Sequence, residues 1–468
     1  MNKIIKGILT ATCCLTAVCS FGACNKEVVS AYDIAVKNGF VGTEAEWLLS
    51  LHGKDGENGQ DLDAKAMYET AKAEGYTGTF LDFCKELQIT VTPENDIKKV
   101  SENLMSAVSI YCGFTKTTTG GWMGQKTTKH YASAGSGVII DLNKNAGSAL
   151  VVTNYHVLYD ADANTTNGIS DSIWLYLNGA YNGFSGSETK AYADETGDGI
   201  KATFVGGAMD YDIALLKIEG SEIIKNSEAT VATISDKDIV TVGEKVYAIG
   251  NPDGAGIALT EGVISVDSEY IGISALDNRD EDKDGKADEV SFRVMRTDAA
   301  INGGNSGGGL FNGDGELVGI VNAKNVGTET DNMGYALPMS QVKRLCENIL
   351  DNNGTAKIAQ LGIMVSITGS KAVLDENGHA QVVEEFAVAS VVGSASSAYE
   401  KLNVGDVFVS GKVGNGAETK FTRRFQLNDF LLTVRKGDTV TLKVKNSNGQ
   451  ERNAVIKFDD DAYFKICK

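Results

Sequence analysis

The sequence contains little proline and fewer basic than acidic residues. Three prolines stand against 53 glycines in 468 residues, and Val and Thr are abundant, which favours a β-rich fold with many tight turns. The 43 lysines and arginines are outnumbered by 62 acidic residues, for a net charge of -19. Because binding to phosphate groups requires a basic surface, this balance argues against a nucleic-acid partner.

The N-terminal apolar stretch, from Ile8 to Phe21, is too short to span a bilayer. It follows two lysines and ends in Phe-Gly-Ala-Cys, which resembles a bacterial lipobox. The resemblance predicts a lipoprotein signal peptide over residues 1–23 and lipidation of Cys24, and therefore an extracytoplasmic protein anchored to the cell membrane. An ordinary signal peptide cut nearby is the alternative.

The cysteines show no CxxC pair and no Cys/His spacing typical of a zinc site. Three of the eight lie in the predicted signal peptide and one is Cys24. The remaining cysteines are compatible with two disulfides or four free thiols, and they are Cys84, Cys112, Cys346 and Cys467.

A motif occurs twice near the N-terminus, over residues 31–51 and 67–87. Tyr32, Gly42 and Trp47 of the first copy correspond to Tyr68, Gly78 and Phe83 of the second. Each copy resembles two short helices separated by a glycine turn. We predict a helical repeat region over residues 24–97 that serves as a stalk or a wall-facing module, with a plain spacer as the alternative.

From about residue 98 the pattern changes to short apolar strands separated by glycine and polar turns, which is typical of a sandwich or barrel. This region ends near Asn352-Asn353-Gly354, a predicted linker. Strand patterns and two short helical patches follow, so we predict a β domain over residues 98–352 and a small α+β domain over residues 358–468.

Three side chains in the β domain are candidates for nucleophilic catalysis. His156 follows an apolar strand in VVTNYHVL, Asp212 begins one in MDYDIALLKI, and Ser306 lies in a glycine-rich run, NGGNSGGG. Glycines leave the serine hydroxyl accessible and let backbone N–H groups converge on one point, as an oxyanion hole requires. A nucleophile, a base and a carboxylate together indicate acyl transfer.

These segments, with AIGNPDG, TDAAINGGNSGG and GYALPM, resemble the HtrA (Deg) family of trypsin-like serine proteases over about residues 100–350. The resemblance implies a mainly β, chymotrypsin-like fold of two six-stranded β-barrels with His156, Asp212 and Ser306 in the cleft between them. It places the oxyanion hole at the amides of Gly304 and Ser306.

The resemblance also implies a substrate pocket lined by Ala300, Asn322 and Ala323. No acidic residue occupies these positions, so cleavage after small or medium aliphatic residues is expected. By the same resemblance the protein is an ATP-independent endopeptidase of unfolded or exported proteins and assembles as a homotrimer. A non-catalytic chaperone or scaffold that binds unfolded chains is the alternative.

The C-terminal segment resembles a PDZ domain. Leu361, Gly362 and Ile363 match the loop that binds a peptide carboxylate, and residues 402–407 match the LxVGD turn. An extended peptide would add a strand to the sheet while loop amides bind its carboxylate. The alternative is a β domain that packs against the protease without a ligand.

An acidic loop precedes the strand that leads to Ser306. Asp280, Asp282, Asp284 and Asp288 follow the start of a calcium-loop pattern, but the twelfth position is Ser291 instead of Glu. We therefore favour a solvated acidic loop over a calcium site, and expect no cofactor and no metal.

Overall fold

The computed structural model describes residues 31–37, 40–43, 47, 64–73, 76–78, 83, 96–120, 125–165, 167–324, 333–375 and 378–467. The chain forms two compact units, Met1–Glu94 and Asn95–Lys468. The predicted signal peptide, Cys24 and Cys84 lie outside the described residues.

The N-terminal unit contains helices α1 (Ala31–Lys37) and α2 (Ala64–Ala73). The two sequence repeats make the same contact, because the hydroxyl of Tyr32 donates to Gly42 O at 2.7 Å and that of Tyr68 donates to Gly78 O at 3.2 Å. Their aromatic rings pack in a small core. The predicted second helix of each repeat lies largely outside the described residues.

The second unit opens with helix α3 (Asp96–Glu102) and a 3-10 turn, Asn103–Met105. Its first sheet has seven strands in the order β7-β4-β1-β2-β3-β9-β8. The resemblance implied six; the short strand β7 pairs with β4 at one edge. The bounds are β1 (Ala107–Gly120), β2 (Gln125–Asn143), β3 (Ser148–Thr153), β4 (Ser172–Leu177), β7 (Ile200–Lys201), β8 (Thr203–Ala208) and β9 (Ile213–Ile218).

Strands β1 and β2 form a long hairpin that pairs from Ala107–Val138 out to Gly120–Gln125. A two-stranded sheet of β5 (Phe184–Ser187) and β6 (Lys190–Asp194) follows β4 in the chain. Short helix α4 (Tyr155–Leu158) follows β3 in the chain, and short helix α5 (Glu222–Lys225) follows β9.

The second sheet is a closed barrel of six strands, as the sequence predicted, in the order β10-β11-β12-β15-β14-β13. Its strands are β10 (Lys245–Gly250), β11 (Ala258–Ser274), β12 (Glu289–Thr297), β13 (Gly309–Asn312), β14 (Leu317–Lys324) and β15 (Gly334–Pro338). Pro252–Gly254 forms a 3-10 turn after β10. Fully buried Val, Ile, Leu and Phe side chains fill both sheets, so burial of apolar area stabilises this mainly β architecture.

Helix α6 (Met339–Asp351) follows the barrel and packs its apolar face on it. The C-terminal region contributes a sheet in the order β17-β18-β19-β21-β22 with β20 beside β19, and the two-stranded sheet β16-β23. Its elements are β16 (Lys357–Ala359), β17 (Ile363–Leu374), β18 (Ala380–Val391), β19 (Val407–Val413), β20 (Thr419–Lys420), α7 (Arg424–Leu431), β21 (Thr439–Lys445), β22 (Glu451–Lys457), a 3-10 turn at Asp461–Tyr463 and β23 (Phe464–Ile466).

This C-terminal region has its own apolar core, yet Ile358, Leu432 and Cys467 belong to the core of the preceding barrel. The two regions therefore pack on each other within one compact unit. Among the described residues Cys112, Cys346 and Cys467 are buried free thiols. Burial raises the pKa of each to about 12, so these thiols stay protonated.

None of the helices in the described part of the chain is both long and apolar enough to cross a membrane.

Candidate active site

His156 lies in helix α4, three residues after the buried strand β3. Its ring Nδ1 lies 2.7 Å from Asp212 Oδ2, and its backbone N–H donates to Asp212 Oδ1 at 2.9 Å. The carboxylate of Asp212 is 2% exposed, whereas the imidazole keeps 34% of its surface exposed. The ring is therefore fixed on one side by Asp212 and open on the other.

Asp212 is placed by a strained turn. It follows the 3-10 turn Met209–Tyr211 and adopts a left-handed conformation with φ of 52°. Its carbonyl accepts the amide of Asn154 at 2.9 Å and the backbone N–H of Tyr155 at 3.2 Å. These contacts hold the turn against the segment that carries His156.

The pKa of His156 is raised above its ordinary value of 6.5. Burial by itself would lower it, but the negative charge of Asp212 and the hydrogen bond to it favour the protonated ring and outweigh burial. The pair is thus suited to hold a proton taken from a nucleophile.

Ser306 lies in the loop between β12 and β13. The carbonyl of Ser306 accepts the N–H of Ser136 at 2.8 Å, and a Cβ added to the next residue, Gly307, would lie 2.2 Å from the hydroxyl oxygen of Thr153. The loop is therefore pressed against the end of β3, close to His156. Only glycine fits at position 307, which also has φ of 84°.

The hydroxyl of Ser306 donates to the carbonyl of Asn322 at 2.7 Å. Asn322 is 1% exposed, and its side-chain amide donates to Asp212 Oδ2 at 2.6 Å. One residue therefore connects the serine to the carboxylate. In the part of the chain that the structure describes, no hydrogen bond joins Ser306 to His156, so the serine is in a resting rotamer.

The amides of Gly304 and Ser306 donate to no acceptor within the described residues. The carbonyls beside them are bound, because Gly303 O accepts from the N–H of Asp253 at 2.7 Å and Gly304 O accepts from the hydroxyl of Ser136 at 2.7 Å. The loop thus leaves two N–H groups unpaired at the positions predicted for an oxyanion hole.

Gly304 has φ of 90°, and a Cβ there would lie 2.2 Å from Asn251 O. Gly303 has open space where its Cβ would be. Of these two glycines, the backbone requires Gly304 but not Gly303.

Of the predicted pocket residues, the structure describes the side chains of Ala300 and Asn322. Ala300 is exposed in the loop three residues after β12, and its carbonyl accepts from the hydroxyl of Thr260 at 3.0 Å. The side chain of Asn322 is buried and donates to Asp212 Oδ2. The side chain of Ala323 lies outside the described residues. Ile301 is 6% exposed and packs against Gly334.

A groove in the C-terminal region lies between β17 and α7 and is lined by Leu361, Gly362 and Ile363. The amides of Leu361 and Gly362 have no acceptor within the described residues, and Gly362 has φ of 65°. Ser396 Oγ fixes the loop by bonding the carbonyl of Leu361 at 2.5 Å. Strand β17 is an edge strand, so its outer backbone is available for pairing.

The acidic loop brings Asp280, Asp282 and Asp288 together, with one carboxylate oxygen of each within 4.8 Å of the others. The carboxylate of Asp284 instead accepts the N–H of Lys286 at 2.8 Å. Backbone amides of the loop donate to Asp280 and Asp282, which stabilises the loop through its own hydrogen bonds.

Sequence reasoning did not find the supporting roles of Ser136 and Asn322. Ser136 donates to Gly304 O and accepts the N–H of Asn251 at 2.8 Å. The only sequence signal for either residue is its position as a polar residue within an apolar strand. Buried polar side chains are rarely left without a hydrogen-bond partner, so such a position predicts a contact.

Comparisons with known proteins agree with this geometry. Residues 135–320 match the family of trypsin-like peptidase domains. The chain is 31% identical over 281 residues to the serine protease Do-like HtrA of Lactococcus lactis subsp. cremoris. This alignment covers 57% of this chain and 58% of that protein. It is 33% identical over 264 residues to the periplasmic serine endoprotease DegP of Escherichia coli, which covers 55% and 43%.

A third relative, the serine protease Do-like HtrA of Bacillus subtilis, is 32% identical over 221 residues, with 47% of this chain and 40% of that protein covered. The matches thus span about half the length of these relatives. With the mainly β fold and the paired His156 and Asp212, they show that the chain contains a trypsin-like peptidase domain that is similar to HtrA serine proteases.

Proposed function

We propose that this protein is an ATP-independent serine endopeptidase, anchored outside the cell membrane through lipidated Cys24, that hydrolyses unfolded or exported proteins. The observation that carries the catalytic part is the double contact of Asp212 with the ring and the backbone of His156. A buried carboxylate in this position holds the imidazole in the tautomer whose Nε2 is free to accept a proton.

The first step requires the hydroxyl of Ser306 to leave the carbonyl of Asn322 by rotation about its Cα–Cβ bond. Loss of one neutral hydrogen bond costs about 1 kcal/mol, which a bound substrate readily offsets. Ser306 Oγ then attacks the scissile carbonyl carbon while His156 Nε2 takes the hydroxyl proton.

Charge develops on the carbonyl oxygen during the attack. The unpaired amides of Gly304 and Ser306 would bind that oxygen, and Asp212 would stabilise the imidazolium. His156 then gives its proton to the leaving amine, which yields the acyl-enzyme. Water deprotonated by His156 hydrolyses this ester and restores Ser306.

The substrate pocket is proposed to take small or medium aliphatic side chains. Ala300 is small and exposed, and no acidic residue occupies the predicted pocket positions. An apolar pocket of this kind favours aliphatic groups but discriminates between them only modestly.

The C-terminal region is proposed to be a PDZ-like domain that binds peptides by their C-terminal carboxylate. Successive unpaired amides beside a left-handed glycine form a concavity that attracts anions. The edge strand β17 supplies the backbone with which an extended peptide would pair. A homotrimer remains the expected assembly, by resemblance alone.

Casein cleavage tests the catalytic proposal. The full chain should produce fragments whose ends follow small or medium aliphatic residues, and Ser306→Ala should reduce turnover on the order of a millionfold. A fluorophosphonate probe should label the parent chain at Ser306.

The chain offers a matched control for the base. His379 also lies beside an aspartate, with Nδ1 3.3 Å from Asp375 Oδ2, but on an exposed hairpin. His156→Ala should abolish cleavage and His379→Ala should preserve it.

The resting hydrogen bond of Ser306 with Asn322 is the observation that favours the alternative, a non-catalytic chaperone. Absence of labelling and of cleavage by a folded chain would support that alternative.

A further inference from the structure

The peptide groove is completed by residues that the PDZ resemblance does not assign. Tyr211, which directly precedes Asp212, and Lys465, on the C-terminal strand β23, both line it. Among the described lining residues Lys465 is the only charged one. The groove therefore contains a single cation, contributed by the last strand of the chain.

Lys465 lines the same groove as the residues with the unpaired amides. Strand β23 pairs with β16, where Lys465 is opposite Ile358. Strand β16 runs directly into the loop that contains Leu361 and Gly362. A cation in the same groove as two free N–H groups favours a carboxylate over a neutral group there.

Lys465 already has a carboxylate partner in the preceding domain. Its Nζ lies 3.1 Å from Oδ2 of Asp210, whose side chain is 8% exposed while that of Lys465 is 59% exposed. Asp210 also binds Arg279 at 2.5 Å. Asp210 would therefore keep a cationic partner if Lys465 moved, and the exposed lysine side chain is free to reorient.

Resting on the proposed peptide-binding function, we propose that Lys465 recognises the terminal carboxylate of a peptide in the groove, and that Asp210 competes with the peptide for it. Bound peptide weakens the contact between Lys465 and Asp210, two residues before Asp212. Because such coupling is reciprocal, the strength of that contact sets the affinity of the groove.

Binding is measured with two fluorescein-labelled decapeptides of the same sequence ending in Val, one with a free carboxylate and one with a carboxamide. The full chain is used with Ser306→Ala, so that the peptides are not cleaved. Lys465→Met should weaken binding of the free acid about three- to tenfold and leave binding of the amide unchanged.

Asp210→Asn should tighten binding of the free acid several-fold, because it removes the competing charge and keeps the side-chain volume. Lys457→Met is the control, since Lys457 is an exposed lysine of β22 that pairs with Asp459 and does not line the groove. Lys457→Met should leave the affinity for both peptides unchanged. Thermal melting verifies that each variant is folded.

If Lys465→Met lost affinity equally for both peptides, or lost affinity for neither, the recognition role of Lys465 would be overturned. Unchanged or weaker free-acid binding in folded Asp210→Asn would overturn the competition. Binding of neither peptide to the parent chain would overturn this inference together with the groove's proposed function. Labelling of Ser306 by a fluorophosphonate would still test the proposed protease separately.

Discussion

Asn322 joins two members of the candidate triad: its side-chain amide donates to Asp212 Oδ2 at 2.6 Å, and its carbonyl accepts the hydroxyl of Ser306 at 2.7 Å. The amide fixes the carboxylate that orients His156. The carbonyl accepts the hydroxyl of Ser306, which makes no hydrogen bond to His156 within the described residues. Asn322 is thus a positioning residue for the base and the nucleophile.

We expect Asn322→Leu, which removes the amide at similar volume, to lower kcat about tenfold or more with a small change in KM, because a buried hydrogen bond to a charged group contributes about 1.5 to 3 kcal/mol. Initial rates on an aliphatic peptide substrate measure both constants. The pH profile should also shift, since Asp212 loses a donor. A change confined to KM would contradict the positioning role and support the predicted pocket role.

Gly304→Ala should lower kcat by a factor of about 10² to 10³, because the new methyl group would lie against Asn251 O and force the loop to move its unpaired amide. Gly303→Ala is the matched control, since its methyl group meets open space. Steady-state kinetics with circular dichroism separate misplacement from unfolding. Equal losses in both variants would show that the loop depends on flexibility rather than on this amide.

The raised pKa of His156 gives the pH dependence a definite sign. The base acts only when neutral, so kcat/KM should rise with pH through an apparent pKa above 6.5. Asp212→Asn should move this limb to lower pH and reduce kcat about 10⁴-fold. Titration of the imidazole by NMR in the Ser306→Ala background checks the assignment. An apparent pKa below 6.5 in the profile of kcat/KM would disprove the assignment to His156.

The same shift has a consequence for stability. A pKa raised in the folded state means that the native protein holds the proton of His156 more tightly than the unfolded chain does. The resulting stabilisation is fully present below about pH 6.5 and is lost as pH rises through the folded-state pKa. The difference in urea midpoint between the parent chain and Asp212→Asn should shrink over that range.

A buried ion pair fixes the C-terminal region to the second barrel. Arg293 of β12 contacts Asp429 of α7 at 2.6 Å, with side chains 2% and 5% exposed, and the guanidinium lies 4.0 Å from the ring centroid of Phe425. Asp429→Ala should destabilise the protein by about 3 to 5 kcal/mol, because it leaves a buried cation without its partner. Urea unfolding measures this free energy.

The double variant Arg293→Met, Asp429→Leu should recover most of that loss, since burial of two apolar side chains avoids the desolvation of both charges. Lys116→Met, which removes an exposed pair with Asp162, should change stability by less than about 1 kcal/mol. A double variant no more stable than Asp429→Ala would show that the pair is needed for more than charge compensation.

The acidic loop should not depend on calcium. Chelation with EGTA is expected to leave the thermal midpoint and casein cleavage unchanged, because backbone amides already satisfy Asp280 and Asp282. Differential scanning fluorimetry with and without added calcium makes the comparison. A rise in midpoint that Asp282→Asn removes would reverse this expectation.

The sequence determined the fold class because strand length and turn glycines are local properties. Short apolar runs predicted a mainly β molecule, and His156, Asp212 and Ser306 stood out because each breaks an otherwise simple pattern. The glycines around Ser306 predicted free amides, since only those positions tolerate the backbone that Gly304 and Gly307 adopt.

Tertiary structure alone decided which distant groups meet. The side chain of Asn322 in β14 donates to the carboxylate of Asp212, which is 110 residues away in the chain. Lys465 carried no sequence signal at all, because its proximity to Asp210 and to the groove arises from pairing of the last strand with β16. Contacts of this kind depend on packing between elements, and no local pattern encodes them.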